Sequence, residues 1–452
     1  MEILQNVVNY ILGLGPSVFV SAIMIIIGLI VKMKAKDAIS AGITLGVAFT
    51  GMSMLITFMM NAINPAASAM VTNTGISLPI IDGGWTTLAT ISWSWPYAFI
   101  MFPVVIGVNI VMLIFNKTNT INADMWNVWG KIFTAVAVTF VTGSVILAFV
   151  IAAIQTVLEL IYADMHHNRI EKLTGIPGVT CTHRMIFTGA IMYPVDLLLR
   201  KIPAFKGEFD AAALRDKIGI FAENHVLGFI LGIVFGILAR FSVASTLILG
   251  VECATALTLF PVIAKYFMSA LEPISDGIND FMRNRFSGRV LNVGLDWPFL
   301  GGSNEIWIAI ILNVPITLVY AFILPGNQLL PFAGIINVAI AVAAYLVTKG
   351  NIKRMLALCV IFEPIYLYAG TWTAELITGL ANTTGAVALD AGALITSSCI
   401  DGPWFTYGIS HMFLAAQGNF LPVIALIIWF VGFYFYRKEL VKEEKDDLES
   451  NK

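Results

Sequence analysis

Two carboxylates and two amides crowd the stretch "GLDWPFLGGSNEIWIAIILN", residues 294–313 of a chain that is otherwise strongly apolar. Asp296 precedes a Trp-Pro pair. Gly301-Gly302 permits a tight turn, and Ser303, Asn304 and Glu305 then open an apolar run that reaches Asn313. The first N–H groups of a helix have no partner inside it, so free donors gather here beside a carboxylate and an amide. Such a set can hold a hydroxylated ligand. It can equally cap a helix, with Ser303 as N-cap and Asn304-Glu305 in the first turn. The segment "DGGWTTLATISWSWPY", residues 82–97, repeats the ingredients: Asp82, a Gly-Gly pair, and Trp95 before Pro96.

Two further segments put ionisable groups into apolar surroundings, where each is costly and therefore a site candidate. In "SSCIDGPWFTYGISH", residues 397–411, Asp401-Gly402-Pro403 supplies a turn and a charge that could reach a cavity; His411 could cap or line the same segment. In "TCTHRMIFTGAIMYP", residues 180–194, His183 stands at the entry between Thr182 and Arg184, either as a ligand or as a helix-start histidine facing water. The candidate substrate-binding residues are Asp401, Glu305, Asn304, His183, Asp82, Asp296 and Trp95. Glu171 and Glu375 lie just past apolar runs and read as caps or hydrogen-bond partners, and the adjacent His166 and His167 diverge on a helix. Metal-ligand and nucleophile spacings are absent, as are a P-loop, a dinucleotide fingerprint and a zincin motif, so no catalytic set, metal or cofactor is expected. Carboxylates, amides, histidine and aromatic faces together suit a polyhydroxylated solute.

The elements that must position these groups are membrane helices. The chain has 452 residues, 58% hydrophobic and 12% charged, where soluble domains carry about a quarter charged. Its mean hydropathy is +0.86. A net charge of -2 argues against nucleic acid as a partner. Four scattered cysteines make neither a disulfide framework nor a zinc site. The opening "MEILQNVVNYILGLG" has no basic start and no cleavage site, so no cleaved signal peptide is predicted. A bilayer core takes roughly 20 apolar residues per helix. Runs of that kind fall near 15–33, 38–60, 97–115, 125–142, 145–163, 223–240, 245–267, 305–323, 331–348, 355–371 and 418–436. Segments 180–197 and 385–412, interrupted by polar residues and Gly or Pro, read as re-entrant hairpins, tolerated at depth only where protein or a water-filled cavity satisfies the backbone.

A shift of 208 positions superposes Gly28 on Gly236, Gly42 on Gly250, Met60 on Met268 and Pro65 on Pro273. Trp95-Pro96 then matches Trp297-Pro298, Asn109 matches Asn313, and "EKLTG" at 171–175 matches "ELITG" at 375–379. Five spans per repeat is an odd number, so the second copy is upside down, as in many transporters. The expected fold is an all-α polytopic membrane protein of about eleven transmembrane helices: two inverted five-helix repeats and a final helix, with two re-entrant hairpins. The first repeat covers 1–222, including the amphipathic segment 198–217; the second covers 223–417, the last span 418–436 and a polar tail 437–452. Basic residues mark cytoplasmic loops. Lys32, Lys34 and Lys36, then Arg200, Lys201, Lys206, Arg215 and Lys217, then Arg283, Arg285 and Arg289, then Lys349, Lys353 and Arg354, place the N-terminus outside and the C-terminus in the cytoplasm.

"GLDWPFLGGSNEIWIAIILN", "TSSCIDGPWFTYGI" and "PGVTCTHRMIFTGAIMYPVD" resemble the membrane subunit, EIIC, of the bacterial phosphoenolpyruvate:sugar phosphotransferase system, of the galactitol-specific type in the ascorbate/galactitol EIIC superfamily. The resemblance covers essentially the whole chain. It implies a permease of the bacterial inner membrane for galactitol or a related alditol, acting as a homodimer. It also implies a scaffold built from the first two spans of each repeat and a mobile core that moves in an elevator-like shift. A separate EIIB, carrying a phosphocysteine charged by an upstream EIIA, would phosphorylate the solute as it moves inward. The residues alone leave two rivals: an ion-coupled secondary transporter with Glu305 or Asp401 as the ion site, and an intramembrane enzyme using His183, Asp401 and Glu305.

Overall fold

A computed structural model describes residues 16–450 apart from 31, 75–77, 94, 123, 125–127, 207–219, 221–222, 286–290, 332–333 and 385–393. Arg215, Lys217, Arg289 and the first part of the 385–412 segment thus lie outside the described residues. Every predicted apolar run falls on a helix, because a chain that cannot hydrogen-bond to lipid must satisfy its backbone within the segment. In the first half these are α1 (Pro16–Ile30), α2 (Ala35–Thr74), a short α3 (Gly84–Trp93), α4 (Met101–Ile114), α5 (Val128–Thr142), α6 (Val145–Thr174) and α7 (Thr188–Leu199). In the second they are α8 (Asn224–Leu238), α9 (Val243–Arg285), α10 (Asn304–Ile323), α11 (Val338–Thr348), α12 (Ile352–Thr384), α13 (Pro403–His411) and α14 (Leu421–Ser450). Among the described residues, α6, α10, α12 and α14 are long and apolar enough to cross a membrane by length and composition, and shorter apolar helices include α4, α5 and α11. The helix predicted over 331–348 begins only at Val338, where the Asn337 side chain accepts the Ile340 N–H at 3.2 Å. Ser144 starts α6 in the same way, accepting from Leu147 N–H at 3.2 Å, and Gly175, at φ 72°, ends it.

An all-α chain needs one correction. The described residues include six short strands: β1 (Ile80–Asp82), β2 (Thr120–Asn122), β3 (Val179–Cys181), β4 (Asn292–Leu295), β5 (Leu329–Leu330) and β6 (Leu394–Thr396). They form two parallel sheets, ordered β5-β1-β6 and β2-β4-β3. The physical reason is the one that limits broken helices: extended backbone held away from water must find partners, and here one interruption pairs with another. Each sheet has its central strand from one half of the chain and both flanking strands from the other. Exchanging β1 with β4, β2 with β5 and β3 with β6 turns one sheet order into the other.

A second recurrence lies in the four outer helices. α1 packs on α2, α8 on α9, and α2 on α9. A β-carbon on Gly28 would lie 2.9 Å from Ala38 Cβ, and one on Gly236 would lie 2.7 Å from Thr246. A β-carbon on Gly42 would lie 2.3 Å from Ile25, and one on Gly250 3.0 Å from the Phe229 ring. The intervening turns carry Lys32 at φ 67° and Arg240 at φ 56°. Positions superposed by the 208-residue shift thus make the same kind of contact in both halves.

The remaining helices enclose a core in which the segments after β3 and β6 meet. Phe187 stands edge-on to Phe405 at 4.8 Å, and both pack on Trp429 of α14. Gly402, at φ 51°, starts α13 where a β-carbon would lie 2.8 Å from the Arg184 carbonyl oxygen. Isoleucine, valine, leucine and phenylalanine side chains remain exposed around α1, α4, α9 and α14, the surface expected of a protein whose solvent is lipid.

Candidate functional site

At the contact between these two segments, His183 Nε2 lies 3.6 Å from Asp401 Oδ2, with both side chains buried. His183 Nδ1 accepts the Met185 N–H at 3.2 Å, which assigns the ring proton to Nε2, facing the carboxylate. Asp401 reaches this place because Gly402 takes the left-handed turn and Pro403 starts α13, while the Asp401 carbonyl accepts from Thr406 Oγ1 at 2.8 Å. The pairing has an internal logic. Cys181-x-His183 and Cys399-x-Asp401 lie 218 positions apart, as do Phe187-Thr188 and Phe405-Thr406. Corresponding residues of the two segments therefore face one another.

Around this pair lie charges inside the helices. Lys131 Nζ of α5 is 2.5 Å from Glu159 Oε2 of α6, both almost wholly buried, and Gln155 Nε2 donates to Glu159 Oε1 at 2.8 Å. Arg184 Nη1 donates to the Gly130 carbonyl at 2.7 Å and to Thr134 Oγ1 at 3.0 Å. Lys131, Arg184 and Glu159 all act electrostatically on Asp401. Two cations thus stand against two carboxylates, as burial of charge demands.

A second polar group continues the band on α10 and α12. Asn313 Nδ2 donates to Glu363 Oε2 at 2.7 Å, and Thr317 Oγ1 lies 3.4 Å from the same amide nitrogen. One turn farther along α12, Tyr366 OH meets Thr188 Oγ1 at 3.1 Å, and both Glu363 and Asp401 act electrostatically on Tyr366. Among the described residues, Gln155 Oε1 and Asn313 Oδ1 are buried with no hydrogen-bond partner, as are Arg184 Nε and Nη2, while the Asn337 amide acts on Glu363. Polar atoms buried in this way are expensive unless something else takes the bond. Their mixture of donors and acceptors suits hydroxyl groups, each of which donates once and accepts twice. Three or more metal-ligating side chains do not cluster among the described residues.

The seven residues chosen from sequence are distributed unevenly about this band. His183 and Asp401 are at its centre. Asp82 is at its edge with its oxygens already engaged: they accept from Gly84 N–H at 2.9 Å, Gly334 N–H at 2.9 Å, Ser398 N–H at 3.1 Å and Ser398 Oγ at 2.5 Å. Asp296 accepts the Trp297 N–H at 2.6 Å as an N-cap. Trp95 packs against Tyr97 and Phe149 in the apolar core. Asn304 and Glu305 begin α10 beside the Lys349-Gly350 turn rather than among the buried charges. Ser303 occupies the N-cap position but makes no cap bond; its hydroxyl donates to Tyr345 OH at 2.8 Å. Sequence reasoning passed over Lys131, Glu159, Arg184 and Glu363. The signals were a lysine and a glutamate inside the runs 125–142 and 145–163, and the recurrence of "ELIY" at 159–162 as "EPIY" at 363–366.

The model of the EIIC-GAT family, described as the PTS system sugar-specific permease component, matches residues 10–392. The chain is 32% identical over 446 residues to the PTS system galactitol-specific EIIC component of Escherichia coli (strain K12), covering 98% of each. A putative permease IIC component of the same strain is 30% identical over 439 residues, covering 96% of this chain and 100% of the relative.

Proposed function

Because this chain belongs to the EIIC-GAT family of PTS sugar-specific permease components, we propose that it carries galactitol or a related alditol inward. The solute leaves phosphorylated by a separate EIIB, itself charged by EIIA. The observation that carries the reading is the buried polar band that holds the His183–Asp401 pair, in which donors and acceptors of Arg184, Gln155 and Asn313 have no partner among the described residues. The substrate contacts are assigned to His183, Asp401, Gln155, Glu159, Asn313 and Glu363. A polyol offers hydroxyls in both roles along its length, which matches an extended band better than a point-like ion does. Hydrogen bonds between hydroxyls and ionised groups are each worth about 1.5–3 kcal/mol.

The architecture proposed is two inverted repeats, eleven spans in all, with the N-terminus outside and the C-terminus in the cytoplasm. The exchanged strand order of the two sheets, the recurrent contacts at Gly28 and Gly236, and the meeting of His183 with Asp401 support it. α1, α2, α8 and α9 would form the scaffold and dimer surface. The hairpins with α5, α6, α11 and α12 would form the unit that shifts. The deciding experiment is phosphorylation of labelled galactitol by membranes holding this chain. Phosphate should reach galactitol only when the chain and phosphorylated EIIB are both present. Accumulation of unmodified galactitol against its gradient by the purified chain in liposomes, driven by an ion, would replace this reading with secondary transport.

A further inference from the structure

Arg184 is a buried guanidinium with only one corner held. Its Nη1 is fixed by the Gly130 carbonyl and Thr134 Oγ1, and the rings of Trp129 and Phe133 lie 5.7 and 5.2 Å from its central carbon. Nε and Nη2, the two nitrogens on its other edge, are buried without a hydrogen-bond partner. Among the described residues it forms no ion pair within 4.0 Å; the carboxylates it feels, Asp401 and Glu159, act on it from farther away. A buried arginine is ordinarily paired, because leaving water costs it several kcal/mol. The edge left open here is the fork whose two N–H groups run parallel and match two oxygens of one oxyanion.

We propose that the Nε–Nη2 edge of Arg184 is an oxyanion subsite that receives the phosphate of the phosphorylated solute. This rests on the transport reading above, because a phosphate ester is formed only if the solute leaves phosphorylated. The position fits. Of the charges that act on Arg184, that of Asp401 is the largest, so the phosphate-bearing end of the solute lies toward the His183–Asp401 pair. The unmodified end points to Asn313 and Glu363, where no cation acts on the carboxylate among the described residues, whereas Lys131 and Arg184 both act on Asp401. The site thus has a direction that a chain of equivalent hydroxyls does not itself supply. The fixed corner matters too: with Nη1 tied to α5, the fork needs no reorganisation when the anion arrives.

The test titrates the detergent-purified full chain by calorimetry with galactitol, with galactitol phosphorylated on a terminal hydroxyl, and with inorganic phosphate. The parent should bind the ester more tightly than galactitol, and galactitol should displace it. Arg184→Gln should weaken the ester by at least about tenfold more than it weakens galactitol, a difference of about 1.4 kcal/mol. Arg184→Lys, which keeps the charge and loses the fork, should fall between. Equal losses for both ligands in Arg184→Gln, with an unchanged elution profile, would make Arg184 a general structural residue and overturn the proposal. A parent that binds galactitol but prefers it to the ester also overturns it, and leaves the transport reading standing. If Arg184→Gln does not elute as a folded protein, the parent's preference and Arg184→Lys decide. A parent that binds neither ligand removes the transport reading and the subsite together.

Discussion

The same chemical group does different work at Asp82, Asp296 and Asp401, and the difference is in what each oxygen already holds. Asp82 holds three backbone N–H groups and a serine hydroxyl, so it is a clamp between β1, Gly334 and Ser398. Asp296 is a helix cap. Among the described residues Asp401 faces His183 at 3.6 Å and the more distant charges of Arg184, Lys131 and Glu159, which leaves its oxygens able to take a solute hydroxyl. Asp401→Asn should therefore weaken galactitol binding by about one to two orders of magnitude, since a charge-assisted hydrogen bond is worth about 1.5–3 kcal/mol. Glu305→Gln, at the start of α10, should change affinity by less than about threefold, the scale of a first-turn charge effect. Calorimetry on the two purified variants, with elution profile as the folding control, checks both. Equal affinity losses would mean that the start of α10 belongs to the substrate path. At the other end of the band, Glu363→Gln keeps the size of the side chain and its contact with Asn313. It should lower galactitol affinity by about tenfold, as the loss of one such bond requires.

Elements are held in place here by a few points of close approach and by one charged latch. Gly402 sits at φ 51° against the Arg184 carbonyl. Alanine there pays the left-handed penalty of about 1–2 kcal/mol and pushes its β-carbon into backbone. Gly402→Ala should lower the melting temperature in detergent and weaken galactitol binding together, because the turn that suffers is the one that aims Asp401. A variant that binds normally would show that the two segments can part without cost. The latch ties α6, α7, α12 and α14. Asp196, fully buried, accepts from Arg354 Nη1 at 2.7 and 3.0 Å and from Arg200 Nε at 2.7 Å. Arg200 also donates to Glu439 at 2.9 Å, Tyr193 donates to Glu439, and Arg169 pairs with Glu443 at 2.5 Å. Asp196→Asn leaves Arg354 without a counter-ion among the described residues and Arg200 with Glu439 alone. Removing one partner of a buried pair costs about 3–5 kcal/mol, and the partial exposure of Arg200 reduces this to about 2 kcal/mol. The expected sign is a lower melting temperature with galactitol affinity unchanged, because the latch lies away from the buried band.

For the molecule as a whole, the charge pattern and the exchanged sheets make one claim about topology. A C-terminal phosphatase-type reporter, active only outside the cytoplasm, should be inactive on this chain, and a cytoplasmic reporter at the same place should be active. The reverse result would reject the orientation. The exchanged sheets have a mechanical consequence. Neither half of the chain can complete a three-stranded sheet by itself, since each central strand has both neighbours in the other half. Residues 1–222 expressed alone should therefore fail to elute as a monodisperse species, and co-expression with residues 223–452 should restore one.

Much of this was legible in the sequence. The position of each apolar helix was, because about 20 apolar residues in lipid have no other way to satisfy their backbone. So was the recurrence of Gly28 and Gly42 as Gly236 and Gly250, because close helix packing requires the same small residues at the same spacing in both copies. Family membership was legible as well, carried by long stretches such as "TSSCIDGPWFTYGI". The six strands were not: two to four extended residues have no periodicity to read, and their partners are remote in the chain. Convergence was not legible either. His183 and Asp401 are 218 positions apart, and Lys131 and Glu159 sit inside runs whose hydropathy hides them. A sequence shows which groups a residue owns; only the fold decides which lone pairs and protons its neighbours have already taken. That is why Asp82 and Asp401, each followed by glycine in the chain, end as a clamp and as the proposed centre of a site.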